Sequence, residues 1–456
     1  MGKAKATSTS AASPLLFQSK PLCFSCLYLF TSLFIALCLS LSPTKCIFRS
    51  SPFDPIQFPL FSYPSSYGEH KHSLPTFRSS CSSPVYFSDY GTALKEIRQS
   101  YWNSTSSSTL RYMAGEADSF GGNFSVRRRI SFFDLRENAA DVPCGFMKPF
   151  PINVDDQIAM EGCNEVVVVS AIFGDHDKIR QPKGIAAKTL DMVCFFMFVE
   201  DSTLRGLLRQ NLISGQSHVY KIGAWRLVNV SVDGLYSSPS LNGVIPKYLV
   251  HRLFPNSKYS IWVDAKMQLV ADPLLLIHSL VMKENVDMAI SKHPYFVNTI
   301  DEAMATARWR KWLDVEALKM QLETYCENGL RPWSPKKLPY PSDVPDSAVI
   351  LRRHGVAGDL FSCLMFNELA AFNPRDQLAF AFVRDKMRPR LRINMFDVEV
   401  LEKIAVEFRH NIKRDGPIGP PSEPKTTRAQ PDLSVSGGGV GSCRKYLMEM
   451  WGESHD

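Results

Sequence analysis

The sequence predicts an α/β fold: a mainly parallel sheet with helices on both faces, preceded by one transmembrane helix and a stem. Short β-branched or aromatic runs alternate with helix-like stretches between about residues 130 and 414, and an uncharged apolar segment stands near the amino-terminus. Continuous apolar runs are typical of strands buried on both faces, and their alternation with helices is typical of a parallel sheet.

The apolar segment is the first predicted element. Residues 21–44 carry no charge, three lysines precede them, and the first acidic residue, Asp54, follows them. A membrane-spanning helix needs about 20 apolar residues, and positive charge favours the cytosolic side. We therefore expect a cytosolic tail at residues 1–20, a transmembrane anchor at residues 21–44 and the rest of the chain in the lumen. A cleaved signal peptide and a plastid transit peptide are the alternatives.

A stem and three glycosylation sequons are predicted beyond the anchor. Residues 45–125 are rich in Ser, Pro, Tyr and Phe without a sustained period, which indicates a largely irregular luminal stem. Asn103, Asn123 and Asn229 each begin an Asn-x-Ser/Thr acceptor pattern, which favours a luminal location.

The cysteines and the net charge exclude two classes of protein. None of the cysteines beyond the apolar segment forms a CxxC pair, so a zinc ribbon is not expected. In an oxidising lumen we expect a disulfide between Cys144 and Cys163, with free buried thiols as the alternative. The net charge of +7 is not concentrated in a long Lys/Arg run, so we expect no nucleic-acid partner.

Four apolar runs are the predicted strands of the folded domain, which we place at residues 126–414. The strands cover residues 165–173, 192–199, 259–264 and 286–291, and the helices between them cover residues 204–212, 245–253 and 273–282. Ligands of parallel sheets bind beyond the carboxyl ends of the strands, so the residues after each strand are candidates for a site. The polar, Gly-rich residues 415–456 predict a flexible tail.

The first two strands are followed by polar loops. Gly174, Asp177 and Arg180 form a loop that could close over a nucleotide, or an ordinary connection between strand and helix. Asp201 follows the second strand, where a carboxylate could bind ribose hydroxyls or cap the next helix.

The third strand ends in Asp264-Ala265-Lys266. Sugar-nucleotide transferases often place Asp-x-Asp at such a position, where the carboxylates hold Mn²⁺ or Mg²⁺ against the donor phosphates. Here Lys266 replaces the second Asp, and its ammonium could pair with a phosphate directly. Alternatively Asp264 alone holds a metal with help from elsewhere, or it only turns the chain.

Later polar residues could contact an acceptor. His293 follows the fourth strand as a metal ligand, an acceptor contact or a structural histidine. Asp376 could orient or deprotonate an acceptor hydroxyl, or simply begin a helix, and Arg375 and Gln377 would position sugar hydroxyls.

The residues between about 130 and 412 resemble the plant turgor-regulation and mucilage-related glycosyltransferase-like domain family. The matching segments are residues 168–181, 195–201, 261–266, 301–303, 329–330, 333–334, 342–345, 364–368 and 375–378. The resemblance implies a GT-A-like fold and a Golgi hexosyltransferase that moves sugar from a nucleotide-sugar donor to a cell-wall polysaccharide or glycan. Together with the anchor predicted above, this would be a single-pass type II membrane protein. One branch of the family has been assigned alkaline ceramidase activity, so a lipid amide hydrolase and a non-catalytic member are the alternatives.

Overall fold

The computed structural model describes residues 20–40, 46–48, 51–67, 83–102, 110–135, 141–174, 177–214, 219–309, 311–312 and 314–409. The predicted tail at residues 415–456, the sequon at Asn103 and nearly all of the predicted cytosolic tail at residues 1–20 lie outside these residues.

The strands and helices alternate through most of the described chain. The strands are β1 (Ile47–Phe48), β2 (Val85–Tyr86), β3 (Val166–Ile172), β4 (Val193–Glu200), β5 (Tyr220–Ile222), β6 (Trp225–Val230), β7 (Tyr259–Val263), β8 (Met267–Leu269), β9 (Met288–Lys292), β10 (Pro345–Arg353), β11 (Ile393–Phe396) and β12 (Ala405–Glu407). The helices are α1 (Lys20–Ser40), α2 (Tyr90–Trp102), α3 (Val126–Ser131), α4 (Val154–Glu161), α5 (Ala187–Met192), α6 (Asp201–Arg209), α7 (Pro239–Tyr248), α8 (Val250–Leu253), α9 (Pro273–Ile277), α10 (Thr299–Arg308), α11 (Val315–Glu327), α12 (Val356–Ala371), α13 (Asp376–Lys386) and α14 (Val398–Ile404).

The central sheet has eight strands in the order β11-β9-β10-β7-β3-β4-β6-β5. Neighbours are parallel from β7 to β6 and between β9 and β11, whereas β10 is antiparallel to both of its neighbours and β5 is antiparallel to β6. The prediction of a mainly parallel α/β sheet is confirmed, and the four predicted strands are β3, β4, β7 and β9. Because β10 is antiparallel to both β7 and β9, the carboxyl ends of β3, β4, β6, β7 and β9 all lie at one edge.

Apolar side chains cover both faces of this sheet. In β3, Val166 and Val168 pack into the layer that contains α9 and α14, while Val167 and Val169 pack into the layer that contains α7, α12 and α13. Each of the four is at most 1% exposed. Burial of one such side chain stabilises the fold by about 1.5–3 kcal/mol, so packing on both faces stabilises the strands that carry the sheet edge.

The amino-terminal segment contains a helix where the anchor was predicted. Apolar side chains of α1, such as Phe30 and Phe34, are exposed. Across the part of the chain that the structure describes, no helix combines the length and the apolar character needed to cross a membrane.

Much of the segment predicted as an irregular stem packs against the domain where it is described. Ala93 and Ile97 of α2 are buried against the layer that contains α9. The Tyr90 hydroxyl lies 2.8 Å from Thr189 Oγ1, and Glu96 Oε2 lies within hydrogen-bond distance of His278 Nε2 at 2.9 Å. Residues 83–102 are therefore part of the folded unit.

The disulfide prediction was wrong. Cys144 is bonded to Cys363 of α12, and Cys163 is bonded to Cys194 at the start of β4. Cys163 lies just before β3, whose first residues pair with those of β4, so the sheet register brings it to Cys194. Nearness in the sequence therefore did not indicate nearness in space.

Candidate active site

The loop after β3 is tied to the end of β4. Gly174 has a φ of +78°, which favours glycine, and its N–H donates to Glu200 Oε1 at 2.6 Å. Asp177 is half-buried further along the same loop. Gly174 and Asp177 thus lie at the carboxyl edge of the sheet, as predicted for a donor-binding loop.

Arg180 holds the turn after β7. Its Nη1 donates to Ala265 O at 2.7 Å and to Lys178 O at 3.0 Å, and its guanidinium lies 4.3 Å from the centre of the Phe408 ring. The side chain is buried. Arg180 was predicted to bind a donor, and these contacts make it a positioning residue for the turn.

Asp201 begins α6 and fixes the neighbouring strand. Its Oδ1 accepts a hydrogen bond from Asn229 Nδ2 of β6 at 2.9 Å. Glu200 is the N-cap residue and makes no side-chain cap bond, so Asp201 does not have the capping role that was its alternative.

The centre of the candidate site is an ammonium between two carboxylates. Lys247 Nζ of α7 lies 2.7 Å from Asp376 Oδ2 and 3.6 Å from Asp264 Oδ1, and it donates to Ser347 Oγ at 3.1 Å. Asp264 Oδ1 also accepts from Trp262 Nε1 at 2.7 Å. The two aspartates predicted from separate motifs therefore meet at a lysine from a third element.

Asp376 is held in its charged form. Burial alone would raise its pKa, but the charge of Lys247 and hydrogen bonds from Lys247, Ser347 and Tyr248 outweigh burial and lower the pKa below its usual value. The same two carboxylates raise the pKa of Lys247 against the effect of burial. A carboxylate with a lowered pKa is a weak general base, so the geometry favours an orienting role over proton abstraction for Asp376.

A second group of charges surrounds Lys266. Its Nζ lies 2.8 Å from Glu407 Oε1, and although burial would lower its pKa, Asp264 and Glu407 raise it. Burial raises the pKa of the nearby Asp346, and the negative charges of Asp264 and Glu407 add to that effect. Three carboxylates thus face one ammonium at this point of the sheet edge.

This donor set fits a divalent cation. Carboxylate oxygens are the ligands that Mg²⁺ and Mn²⁺ prefer. Asp264 and Glu407 act on Asp346 as like charges, and the charge of Lys266 opposes them. Asp264 and Asp346 are the residues that would hold such an ion, which extends the predicted metal role of Asp264 by one ligand.

Another group of ligand types lies deeper in the protein. Cys144, His251 and Cys363 have ligand atoms within 4.8 Å of one another and are all buried. The two cysteines form a disulfide, so they offer no thiolate to a metal.

His293 and Arg375 meet at a different carboxylate from Asp376. Arg375 Nη2 donates to Glu302 Oε1 at 2.5 Å, and His293 Nε2 lies 3.8 Å from Glu302 Oε2. Glu302 is fully buried at the start of α10. His293 and Arg375 therefore form a cluster around Glu302 that is separate from Asp376, while Gln377 is half-buried in the first turn of α13.

Two aromatic side chains beside this cluster are exposed. Tyr295 is 76% and Trp309 is 58% exposed. The Phe296 ring stacks on His293 at 5.2 Å and lies 6.1 Å from the Trp309 ring, and the Tyr295 ring lies 6.0 Å from that of His293. Exposed aromatic rings at the carboxyl end of β9 suit contact with the apolar faces of a ligand.

Lys247, Ser347 and Asp346 were not predicted as site residues. Lys247 lies inside the predicted helix at residues 245–253, where its apolar neighbours gave no sign of a site. Lys247 stands among residues that are buried in α7, and a charged residue inside such an apolar stretch is the sequence signal that could have identified it as a site residue. Ser347 and Asp346 belong to β10, an antiparallel strand that was not predicted.

A family model described as "TOD1/MUCI70, glycosyltransferase-like domain" matches residues 101–410. The chain belongs to this family. The predicted family relationship is thereby confirmed, and the matched residues include every element of the central sheet.

Two Arabidopsis thaliana members of this family are similar to the chain. "Alkaline ceramidase TOD1" is 56% identical over 461 residues, covering 98% of this chain and 100% of the relative. "Probable hexosyltransferase MUCI70" is 38% identical over 287 residues, covering 61% of this chain and 48% of the relative.

Solved structures give more distant similarity. The match to mouse xyloside xylosyltransferase 1 in its apo form has 9% sequence identity and a TM-score of 0.29. It covers 51% of this chain and 85% of the mouse chain. The match to the bifunctional glycosyltransferase WbbM has 10% sequence identity and a TM-score of 0.26. It covers 51% of this chain and 39% of the WbbM chain.

Proposed function

We propose that this protein is a hexosyltransferase that moves a sugar from a nucleotide-sugar donor to a cell-wall polysaccharide or glycan. The observation that carries the proposal is the group of Lys247, Asp264 and Asp376 at the carboxyl edge of a mainly parallel sheet. Such an edge is where α/β proteins bind nucleotides. The family match to a glycosyltransferase-like domain supports it.

The donor would lie across the ends of β3, β4 and β7. The loop containing Gly174 and Asp177 and the carboxylate of Asp201 would contact the nucleoside, while Lys266 would pair with the diphosphate. Lys266 is reachable, because its side chain is 24% exposed. A divalent ion held by Asp264 and Asp346 would add charge stabilisation to the departing diphosphate.

The acceptor would approach from the end of β9 and the start of the antiparallel strand β10. Asp376 would accept a hydrogen bond from a sugar hydroxyl without removing its proton, because Lys247 keeps the carboxylate charged. The rings of Tyr295 and Trp309 would stack on the acceptor chain. His293, Arg375 and Glu302 would then keep this surface in place.

We also propose that the protein acts in the Golgi lumen as a type II membrane protein. The exposed apolar residues of α1 would attach it to the membrane. The lysines before residue 21 and the absence of acidic residues before Asp54 support this orientation.

A second candidate is hydrolysis of the amide bond of ceramide. The observation in its favour is the 56% identity to a relative named alkaline ceramidase. This reaction needs no nucleotide sugar, so a direct comparison separates the two activities.

The experiment uses the full-length protein purified in detergent. It is supplied with a panel of nucleotide sugars and cell-wall oligosaccharides, and separately with ceramide. Asp264→Asn is the test variant, and Asp155→Asn, an exposed acid at the opposite edge of the sheet, is the control. We expect sugar transfer that falls at least about tenfold in Asp264→Asn only, as loss of a hydrogen bond to a charged group would give. Ceramide cleavage without sugar transfer would replace the proposal with the second candidate.

A further inference from the structure

The folded domain begins only a few residues after α1. That helix ends at Ser40, and Cys46 is already buried in the layer that contains α9. Strand β1 follows at once and pairs with β2 in parallel register. Residues 41–45 are therefore the whole tether between α1 and the domain. A fully extended chain from residue 40 to residue 46 spans at most about 22 Å.

This tether is short compared with the domain. A globular unit of about 300 residues has a radius of gyration of about 19 Å. The inference rests on the membrane attachment of α1 proposed above, which makes residues 41–45 the link between the bilayer and the domain. A link of this length keeps the side of the domain around Cys46 close to the membrane surface.

Exposed aromatic rings lie on this side of the domain. Phe53 is 82% exposed and Phe58 is 83% exposed, both shortly after β1. Tyr86 is 69% exposed and lies in β2, opposite Phe48 of β1. Asp54 is the only charged residue among residues 51–61. Aromatic rings on a nearly uncharged segment suit the boundary between lipid headgroups and acyl chains.

The backbone that carries Phe58 is fixed to the domain on both sides of the ring. Before it, Ile56 N donates to Ile185 O at 2.8 Å. After it, Leu60 and Phe61 are partly buried against the layer that contains α9. The fold therefore buries the neighbours of Phe58 and presents its ring to the outside.

We propose that this side of the domain docks on the lipid bilayer. We call it the aromatic side, and it consists of residues 46–61 with β2. The rings of Phe53, Phe58 and Tyr86 lie in the headgroup region when it is docked. The layer that contains α9 then lies on the membrane side of the central sheet, and the layer that contains α7, α12 and α13 lies on the far side.

The test is photo-crosslinking of the full-length protein in phosphatidylcholine vesicles. The photoreactive amino acid p-benzoylphenylalanine replaces Phe53, Phe58 or Tyr86 in turn, and mass spectrometry measures the yield of lipid adducts after illumination. The excited benzophenone carbonyl takes a hydrogen atom from a nearby C–H bond, and the two resulting radicals combine. An adduct with an acyl chain therefore reports contact with lipid.

Two further positions calibrate the yield. Phe34 of α1 is 66% exposed and is the positive control for membrane attachment. Ile158 of α4 is 61% exposed, and its helix packs through Met160 into the layer that contains α7, so it controls for exposure alone. Rings at a membrane interface lie about 5–10 Å into the lipid, so we expect each test position to exceed Ile158 at least about tenfold.

A double variant separates docking by the rings from nearness to the membrane. In Phe53→Ser/Phe58→Ser, the lipid yield at position 86 should fall at least about tenfold, because the apolar area that these rings bury in the bilayer is lost. Val154→Ser/Ile158→Ser is the matched control, because it removes an exposed apolar pair from α4 and should leave that yield unchanged. All four side chains are exposed, so both variants should fold.

The other outcomes overturn the inference in distinguishable ways. Lipid adducts at Phe34 but at none of the three test positions would refute docking and leave the membrane attachment of α1 intact. No adduct at Phe34 would refute the attachment and the inference together. Adducts with a second copy of this chain instead of lipid would assign the aromatic side to self-association. An unchanged yield in Phe53→Ser/Phe58→Ser would show that the rings do not hold the domain on the bilayer.

Discussion

Replacing Lys247 with methionine would leave the Asp376 carboxylate without its main counter-charge. The two side chains are only 12% and 6% exposed, and their charged atoms lie 2.7 Å apart. Breaking a buried ion pair by removing one partner costs about 3–5 kcal/mol. That is a large part of the roughly 5–15 kcal/mol that stabilises a folded protein, so Lys247→Met should show a clearly lower free energy of unfolding at pH 7.

The pH dependence of this loss identifies its cause. In the native protein the pKa of Asp376 is lowered below its unfolded-state value of about 3.9. The ion pair therefore contributes its full stabilisation of the fold above about pH 3.9, and this stabilisation is lost as the pH falls through the lower folded-state pKa. In Lys247→Met the effect of burial is no longer offset by the ammonium, so the pKa of Asp376 rises above the unfolded value. The stability deficit should therefore be largest at pH 7 and shrink as the pH falls towards 5.

Denaturant unfolding at pH 7, 6 and 5 measures the effect. The double variant Lys247→Met/Asp376→Asn should recover most of the loss, because the neutral amide needs no counter-charge. Lys188→Met, at an exposed position, should stay within about 0.5 kcal/mol of the native protein. A loss below about 1 kcal/mol, or one that does not vary with pH, would refute the ion-pair reasoning.

Three further predictions concern other parts of the molecule. Cys363→Ser should lower the free energy of unfolding by about 2–5 kcal/mol, measured by thermal denaturation, because it removes a disulfide that joins residues 219 positions apart; Cys26→Ser, at a free and exposed cysteine, is the control. Burial raises the pKa of Asp359 to about 7, so ionisation of this carboxyl destabilises the fold as the pH rises from about 4 to 7. The Asp359→Asn variant should therefore have a higher free energy of unfolding than the native protein at pH 8 and the same free energy of unfolding near pH 4. Tyr295→Ala or Trp309→Ala should raise the KM for an oligosaccharide acceptor with little change in kcat, since the rings would bind ground state and transition state alike; an unchanged KM would exclude the acceptor surface.

The sequence predicted the core of the fold because its signals are local. The β-branched and aromatic runs of β3, β4, β7 and β9 show in the chain that these strands are buried on both faces. The antiparallel strand β10 was not predicted, because it follows a long helical region and belongs to no repeating strand–helix unit. The packing of α2 against α9 was also missed, since residues 83–102 lack the continuous apolar pattern of the core.

The candidate site was only partly predictable for the same reason. Asp264 and Asp376 were identified because they follow recognisable patterns. Lys247 joins them through the packing of α7, which no local pattern specifies. Likewise, the partner of Cys144 depends on where α12 crosses the domain, so Cys163 was chosen by its closeness in the sequence.

Donor binding is the most direct test of the central claim that the Asp264 edge is a nucleotide-sugar site. The thermal midpoint of the full-length protein would be measured with a panel of nucleotide sugars, with and without Mn²⁺. A ligand that binds only the folded state at 100 times its Kd adds about 2.7 kcal/mol of stability. We predict a raised midpoint with one donor that is lost in Asp264→Asn and kept in Asp155→Asn. No shift with any donor, or the same shift in Asp264→Asn, would contradict the claim.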